Sequence, residues 1–173
     1  SDEYFKTISS DLDGVDQTGF DLYDVTQVQV TAIQLIDQVM GASSIALIGE
    51  AGFTHINGFD ENGVTKYEGS AIALTNTATQ DSWGYRALFI AEYADVFSGV
   101  SLTPEVYWSH DVSGVSSLGG SGFKEGNKRL GLTINADYLN TYNASISYTR
   151  ISGEDDDLIS DRDFASVSLG MQF

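Results

Sequence analysis

The chain closes with Phe164-Ala165-Ser166-Val167-Ser168-Leu169-Gly170-Met171-Gln172-Phe173. Ala165, Val167, Leu169, Met171 and Phe173 share one phase of this stretch, and Ser166, Ser168, Gly170 and Gln172 share the other. Successive side chains of a strand point to opposite sides of a sheet, so this spacing predicts a strand with one apolar face and one small, polar face.

The same period of two recurs upstream, over roughly 25–36, 44–57, 83–94, 100–112, 128–138 and 144–152. In 83–94, Trp83, Tyr85, Ala87, Phe89, Ala91 and Tyr93 oppose Gly84, Arg86, Leu88, Ile90 and Glu92. In 128–138, Leu130, Leu132, Ile134, Ala136 and Tyr138 oppose Arg129, Gly131, Thr133, Asn135 and Asp137. Most segments approach the roughly nine to eleven residues with which a tilted strand crosses a bilayer. Short connections, at 95–99 and 139–143, alternate with long polar ones, as short periplasmic turns alternate with long extracellular loops. The expected fold class is therefore all-β: an antiparallel transmembrane β-barrel, with about seven to eight strands in this chain.

On that reading the apolar phase faces lipid and the polar phase faces a lumen. No acidic residue of these segments falls on the lipid face, and its two basic residues, Lys128 and Arg150, stand at the loop-proximal ends. Trp83, Tyr85, Trp108 and Tyr148 gather toward the long loops, and Tyr93, Tyr138 and Phe173 toward the short turns. This is the two-girdle distribution that amphipathic rings adopt at membrane interfaces. Trp83, Tyr85, Trp108, Lys128 and Arg150 are the residues expected to touch lipid and lipopolysaccharide. Val167, Leu169, Met171 and Phe173 look like the terminal signal that the barrel-assembly machinery of a Gram-negative outer membrane recognises. That would place the C-terminus in the periplasm.

Composition agrees with this picture. The chain has 173 residues, no cysteine, one proline and a net charge of −17, which repels nucleic acid. Eighteen of its 25 acidic residues lie in 1–24, 58–82, 113–127 and 153–163. Charge is concentrated in the loops. No run of apolar residues is long enough for a transmembrane helix.

With residue 173 periplasmic, six reversals start segment 25–36 outside, and 1–24 becomes an extracellular loop or holds a short first strand at Tyr4–Ile8. Single-chain bacterial barrels have an even number of strands. Either that short strand completes a small barrel, or 25–173 forms the C-terminal strands of a larger one whose N-terminal part is missing here. The inward phase is mostly Gly, Ser, Thr and Asn, which suits a wide lumen holding water or a plug better than a packed core. Pro104, inside a segment with no edge to excuse its missing donor, predicts a bulge or kink.

Several stretches carry a family resemblance: Gln27-Val28-Gln29-Val30-Thr31-Ala32, Leu47-Ile48-Gly49-Glu50-Ala51-Gly52, Ser109-His110-Asp111-Val112-Ser113-Gly114-Val115, Phe123-Lys124-Glu125-Gly126, Leu132-Thr133-Ile134-Asn135-Ala136-Asp137-Tyr138 and Ser160-Asp161-Arg162-Asp163-Phe164. From about residue 20 the chain resembles the C-terminal third or so of a large proteobacterial outer-membrane family, a domain of unknown function. The resemblance implies a longer N-terminal portion. It also implies kinship in kind with barrels that admit long-chain fatty acids and other hydrophobic compounds.

Chemistry has few candidates. Ser109, His110 and Asp111 are consecutive, so His110 faces away from both neighbours and the three cannot form a triad. The chain is not expected to be an enzyme; a membrane-embedded hydrolase is the lesser alternative. Asp11, Asp13 and Asp16, and Asp155 and Asp157, offer oxygen ligands for calcium or magnesium in the acidic extracellular loops. The first run lacks EF-hand spacing, and solvated loop charge explains both runs more simply. On the inward phase Glu50, Arg86, Glu92, Glu105 and Asp137 would tune permeation or lock a plug. Leu88 and Ile90, with Ile48, would line a hydrophobic path or pack against that plug. The functional expectation is a channel or transporter for small, hydrophobic molecules. A structural or adhesive barrel is the alternative, and a secreted β-sandwich, soluble without detergent, is the reading outside the membrane class.

Overall fold

Eight antiparallel strands follow one another in chain order, each paired with its neighbour in sequence: β1 (Asp2–Phe5), β2 (Phe20–Val39), β3 (Ala42–Asn57), β4 (Asp81–Phe97), β5 (Val100–Ser113), β6 (Lys128–Tyr138), β7 (Tyr142–Ser152) and β8 (Phe164–Met171). The computed structural model describes residues 2–5, 20–63, 65–67, 69, 77–117, 122–153 and 163–172. Strands β2 to β8 make one sheet of seven, and β1 adds four residues beside Phe20–Tyr23. No helix occurs among the described residues. The sheet is open, since its order begins at β1 and ends at β8. A short first strand is present at Asp2–Phe5, overlapping the expected Tyr4–Ile8, of which Lys6, Thr7 and Ile8 lie outside the described residues.

All seven segments read from the period are strands, several of them longer than expected. β2 has 20 residues, β3 16 and β4 17, against 11 each for β6 and β7 and 8 for β8. β2 and β4 gain length at both ends and β3 at its start, and β2 gains most beside a long connection, where it starts at Phe20. There the side that is polar further in becomes packed, so alternation no longer marks the boundary.

The short connections are tight because their central residues adopt positive φ. Met40 and Gly41, Ser98 and Gly99, and Leu139 and Asn140 lie at φ between 47° and 83°. Such turns match the right-handed twist of the strands they join.

Cross-strand register assigns the faces. Leu47 stands opposite Phe89, Phe89 opposite Val106, Val106 opposite Leu132, Leu132 opposite Tyr148 and Tyr148 opposite Ala165. One unbroken apolar side therefore runs from β3 to β8, continued on β2 by Val28, Val30 and Ile36. It is open to its surroundings: Val167 is 72% exposed and Leu169 82%. Nearer the short turns, Ile45 and Ala91 stand opposite each other on this side and are buried, with Phe89 and Tyr93 packed against them.

Within the segments first read the apolar side carries no acid; beyond them, Asp24 and Asp81 occupy it at the outer ends of β2 and β4. His55 Nδ1 lies 2.6 Å from Asp81 Oδ1, so that carboxylate has a partner. One expectation needs correction: Pro104 does not make a bulge. It pairs with Ile134 in an uninterrupted ladder to β6, and the β4 ladder resumes at Tyr93–Leu102 in the register it had at Ile90–Glu105. A missing N–H on the β4 side costs one rung without shifting the strand. The irregularities lie instead at Trp83/Gly84 and between Tyr93 and Phe97.

Candidate functional site: the polar face and its outer cover

The opposite side of the sheet has a layered composition. Counting inward from the long loops, register aligns Gln29, Gly52, Gly84 and Asp111, then Thr31, Glu50, Arg86 and Ser109. Next come Ile33, Ile48, Leu88 and Tyr107, and then Leu35, Ala46, Ile90 and Glu105. Asp37, Ser44 and Glu92 form the layer beyond. Apolar side chains of β2, β3 and β4 thus make a patch framed by charge above and below. Ile33 and Leu35, at 65% and 66% exposure, are its least covered members.

The residues expected to line a lumen all fall on this one face. Glu50 stands directly opposite Arg86. Leu88 and Ile90 lie in the patch, and Glu92 accepts a hydrogen bond from Ser44 Oγ at 3.3 Å. Glu105 accepts one from Asn135 Nδ2 at 2.8 Å. Asp137 holds the β6–β7 turn through Asn140 N at 2.8 Å, which gives it a structural role whatever else it does.

Outer segments fold over the head of this face. Ile56 is buried with Phe59, Tyr67 and Ala78, and Tyr23 and Val25 pack against them. Tyr23, Phe59 and Tyr67 meet in tilted and edge-on pairs 5.2–5.6 Å apart. The Tyr67 hydroxyl donates to Asp21 Oδ2 at 2.6 Å and lies 3.0 Å from that of Tyr23. Burial, and then the Asp21 carboxylate, push the Tyr67 phenol well above its ordinary range and keep it protonated.

The β5–β6 connection makes the second part of the cover. Val115 pairs with Lys124 across a narrow turnback, with Ser116 N donating to Phe123 O at 3.0 Å and Phe123 N to Ser116 Oγ at 2.9 Å. Asp111 Oδ2 accepts from Lys124 N and Asn127 Nδ2, and Glu125 Oε2 accepts from Gly114 N at 2.7 Å. Thr79 ties this piece to the β3–β4 connection: its N donates to Val115 O, and its Oγ1 accepts from Val115 N at 2.8 Å. Gly114, at φ +81°, passes so close to the Asp81 carbonyl that no side chain fits. The result seats Phe123, itself buried, on the bare backbone of Gly52 and Gly84. A Cβ at either glycine would lie 3.0–3.1 Å from its ring. Gln27, Gln29, Glu50, Arg86 and Phe123 border the remaining cleft, of about 180 Å³.

On the apolar side, the aromatic candidates gather at the outer ends. Trp108 Nε1 lies 3.3 Å from the Tyr85 hydroxyl, His110 packs edge-on to Tyr85, and Trp83 stands opposite Phe53. Lys128 pairs with His110, Arg150 pairs with Leu130, and both cations are exposed. At the other ends Tyr138 and Tyr142 stack at 6.3 Å. His110 shares no face with Ser109 or Asp111, and Asp111 is engaged by the cover, so these neighbours do not make a hydrolytic site together.

Val167, Leu169 and Met171 lie in phase on the apolar side; Phe173 falls outside the described residues. So do Asp11, Asp13, Asp16, Asp155 and Asp157. Among the described residues no His and carboxylate group of three or more gathers as metal ligands would. Sequence reasoning missed Phe123, its glycine seat, and the Tyr23–Phe59–Tyr67 cluster. The available signal was aromatics isolated in polar connections, matched by glycines in register on two adjacent strands.

A family model described as a protein of unknown function, DUF1302, matches residues 5–173. No curated protein and no solved structure matches the chain.

Proposed function

The chain belongs to the DUF1302 family, described as proteins of unknown function, and on that premise we propose that it forms part of the wall of an outer-membrane β-barrel that passes small, hydrophobic molecules. The observation that carries this reading is the register-locked contrast between the two faces. An apolar side spanning seven strands, with Leu169, Val167 and Ile146 more than half exposed, is far larger than a monomer leaves in water. Lipid is the cover that suits it, and an open sheet edge is excluded from lipid unless further strands close it. The N-terminal part of the same barrel is the natural source of those strands, delivered by the barrel-assembly machinery.

Orientation follows from the ends. Strands β2 to β4, of 20, 16 and 17 residues, are longer than a tilted strand needs to cross an approximately 30 Å hydrocarbon layer, and their excess would stand on the side of the long connections. That side would be the cell exterior, with Trp83, Tyr85 and Trp108 at headgroup level and Lys128 and Arg150 beside lipopolysaccharide phosphates. The Ile33–Leu35–Ile48–Leu88–Ile90 patch on the lumen side supplies a sliding surface for an apolar solute, with Glu50, Arg86, Glu92 and Glu105 setting its polar borders. Acidic loop carboxylates could share calcium or magnesium with those phosphates.

The test is uptake of N-phenyl-1-naphthylamine by intact cells, whose lipopolysaccharide leaflet excludes the dye, with and without the full-length protein. Faster influx with the protein is expected, and its absence refutes transport. The packed cover over the polar face favours a second reading, a structural or adhesive barrel closed from outside. Under that reading influx is unchanged while the protein still inserts.

A further inference from the structure

We propose that the solute taken up on the polar face is a hydrophobic cation, an apolar body bearing a quaternary ammonium or phosphonium charge. It would sit on the apolar patch with its charge toward Glu92, Glu105 and the Tyr107 ring. This rests on reading the face as a solute path and names the class of solute that the path selects.

Charge on this face is sorted by depth. Register puts Glu50, Arg86 and Arg129 in one layer, at the outer border of the patch. Among the described residues no cation lies on this face further in, whereas Asp37, Glu92, Glu105 and Asp137 all do. Glu105 flanks the patch in the layer of Leu35 and Ile90, and Asp37 and Glu92 bound it on its inner side. The donors to these carboxylates are neutral. Ser44 Oγ donates to Glu92 at 3.3 Å and Asn135 Nδ2 to Glu105 at 2.8 Å, and neither carboxylate meets a cation among the described residues. Each keeps lone pairs and charge for a cation that these strands do not supply.

The patch between these borders covers two layers on β2, β3 and β4. That is roughly 7 by 10 Å, at about 3.3 Å per residue and about 4.8 Å between strands. Tyr107 stands opposite Leu88 in the outer of the two layers, and Glu105 follows it on the same face of β5. An aromatic ring beside carboxylates attracts an organic cation. An uncharged solute gains only the apolar contact, and an anionic one is repelled by Asp37, Glu92 and Glu105.

Influx of tetraphenylphosphonium into intact cells making the full-length protein, followed with an ion-selective electrode, tests the class. It is set against influx of the uncharged N-phenyl-1-naphthylamine in the same cells, at matched amounts of heat-modifiable protein. Both probes should enter faster with the protein than without it. Glu92→Gln combined with Glu105→Gln should lower the ratio of tetraphenylphosphonium to naphthylamine influx by about tenfold, the lower end of the enrichment in a cleft lined by one sign of charge. Tyr107→Leu should lower it by about threefold. Asp24→Asn, which removes a carboxylate from the other side of β2, should leave the ratio as it was. A ratio unmoved by the double variant, or lowered as much by Asp24→Asn, overturns the cation. Naphthylamine influx raised by the protein with tetraphenylphosphonium influx unchanged also overturns it, and keeps the path. Neither probe entering faster refutes the path itself.

Discussion

Leu132 and Thr133 are consecutive residues near the middle of β6, and arginine at each should have opposite consequences. Leu132 lies on the apolar side between Val106 and Tyr148, 42% exposed. Thr133 lies on the polar side between Glu105 and Ser147. In a soluble sheet, arginine at a position as open as Leu132 would change stability by about 0.5 kcal/mol or less. In a lipid-facing wall it costs about 2–4 kcal/mol near the bilayer midplane, or roughly thirty- to nine-hundred-fold in the folding equilibrium. Thr133→Arg enters a polar layer beside the Glu105 carboxylate and should stay within about 1 kcal/mol of wild type. Urea titration of the full-length protein in lipid vesicles, followed by tryptophan fluorescence, measures both. Equal costs at the two positions, or a nearly silent Leu132→Arg, would refute the assignment of faces.

Three other outcomes follow from the cover and the closing strand. Gly114→Ala forces a side chain against the Asp81 carbonyl at a positive φ, so the β5–β6 connection should become sensitive to added protease while the strands stay protected. Tyr67 holds its proton more tightly folded than unfolded. Its contribution is therefore complete below about pH 10, the unfolded value, and is lost as pH rises toward the folded one. Tyr67→Phe should cost about 1–2 kcal/mol at neutral pH and flatten that alkaline arm of a stability–pH curve. Leu169→Asp and Phe173→Asp each break the terminal apolar phase and should sharply reduce heat-modifiable protein in outer membranes; wild-type yield from both would remove the assembly role of the last strand.

The seven long strands were legible because a single rule, period two with one apolar phase, holds wherever a face meets a uniform surrounding. It failed at the outer end of β2 for a physical reason. Around Tyr23 and Val25 the polar side becomes the packed one, covered by Phe59 and Tyr67 beside Ile56, so the meaning of alternation reverses and the start of that strand was placed too far in. Asp24 and Asp81 entered the apolar side in the same zone, where carboxylates can reach water. The lining candidates were readable as a set because parity alone puts Glu50, Arg86, Leu88, Ile90, Glu92, Glu105 and Asp137 on one side. Phe123 was not, since nothing local to a polar connection says which strands it returns to. Only the coincidence of Gly52 with Gly84, a pairing that depends on register, reveals its seat.

The central claim, that these strands cross a membrane, is tested most directly at the two ends of β4. Asn62 lies exposed in the β3–β4 connection and Ser98 exposed in the β4–β5 turn. With no native cysteine, Asn62→Cys and Ser98→Cys are single reporters for an impermeant maleimide applied to intact cells. The account predicts that Asn62→Cys labels at once and Ser98→Cys only after the outer membrane is permeabilised. Equal labelling of both on intact cells would contradict it, because β4 would then have the same compartment at each end.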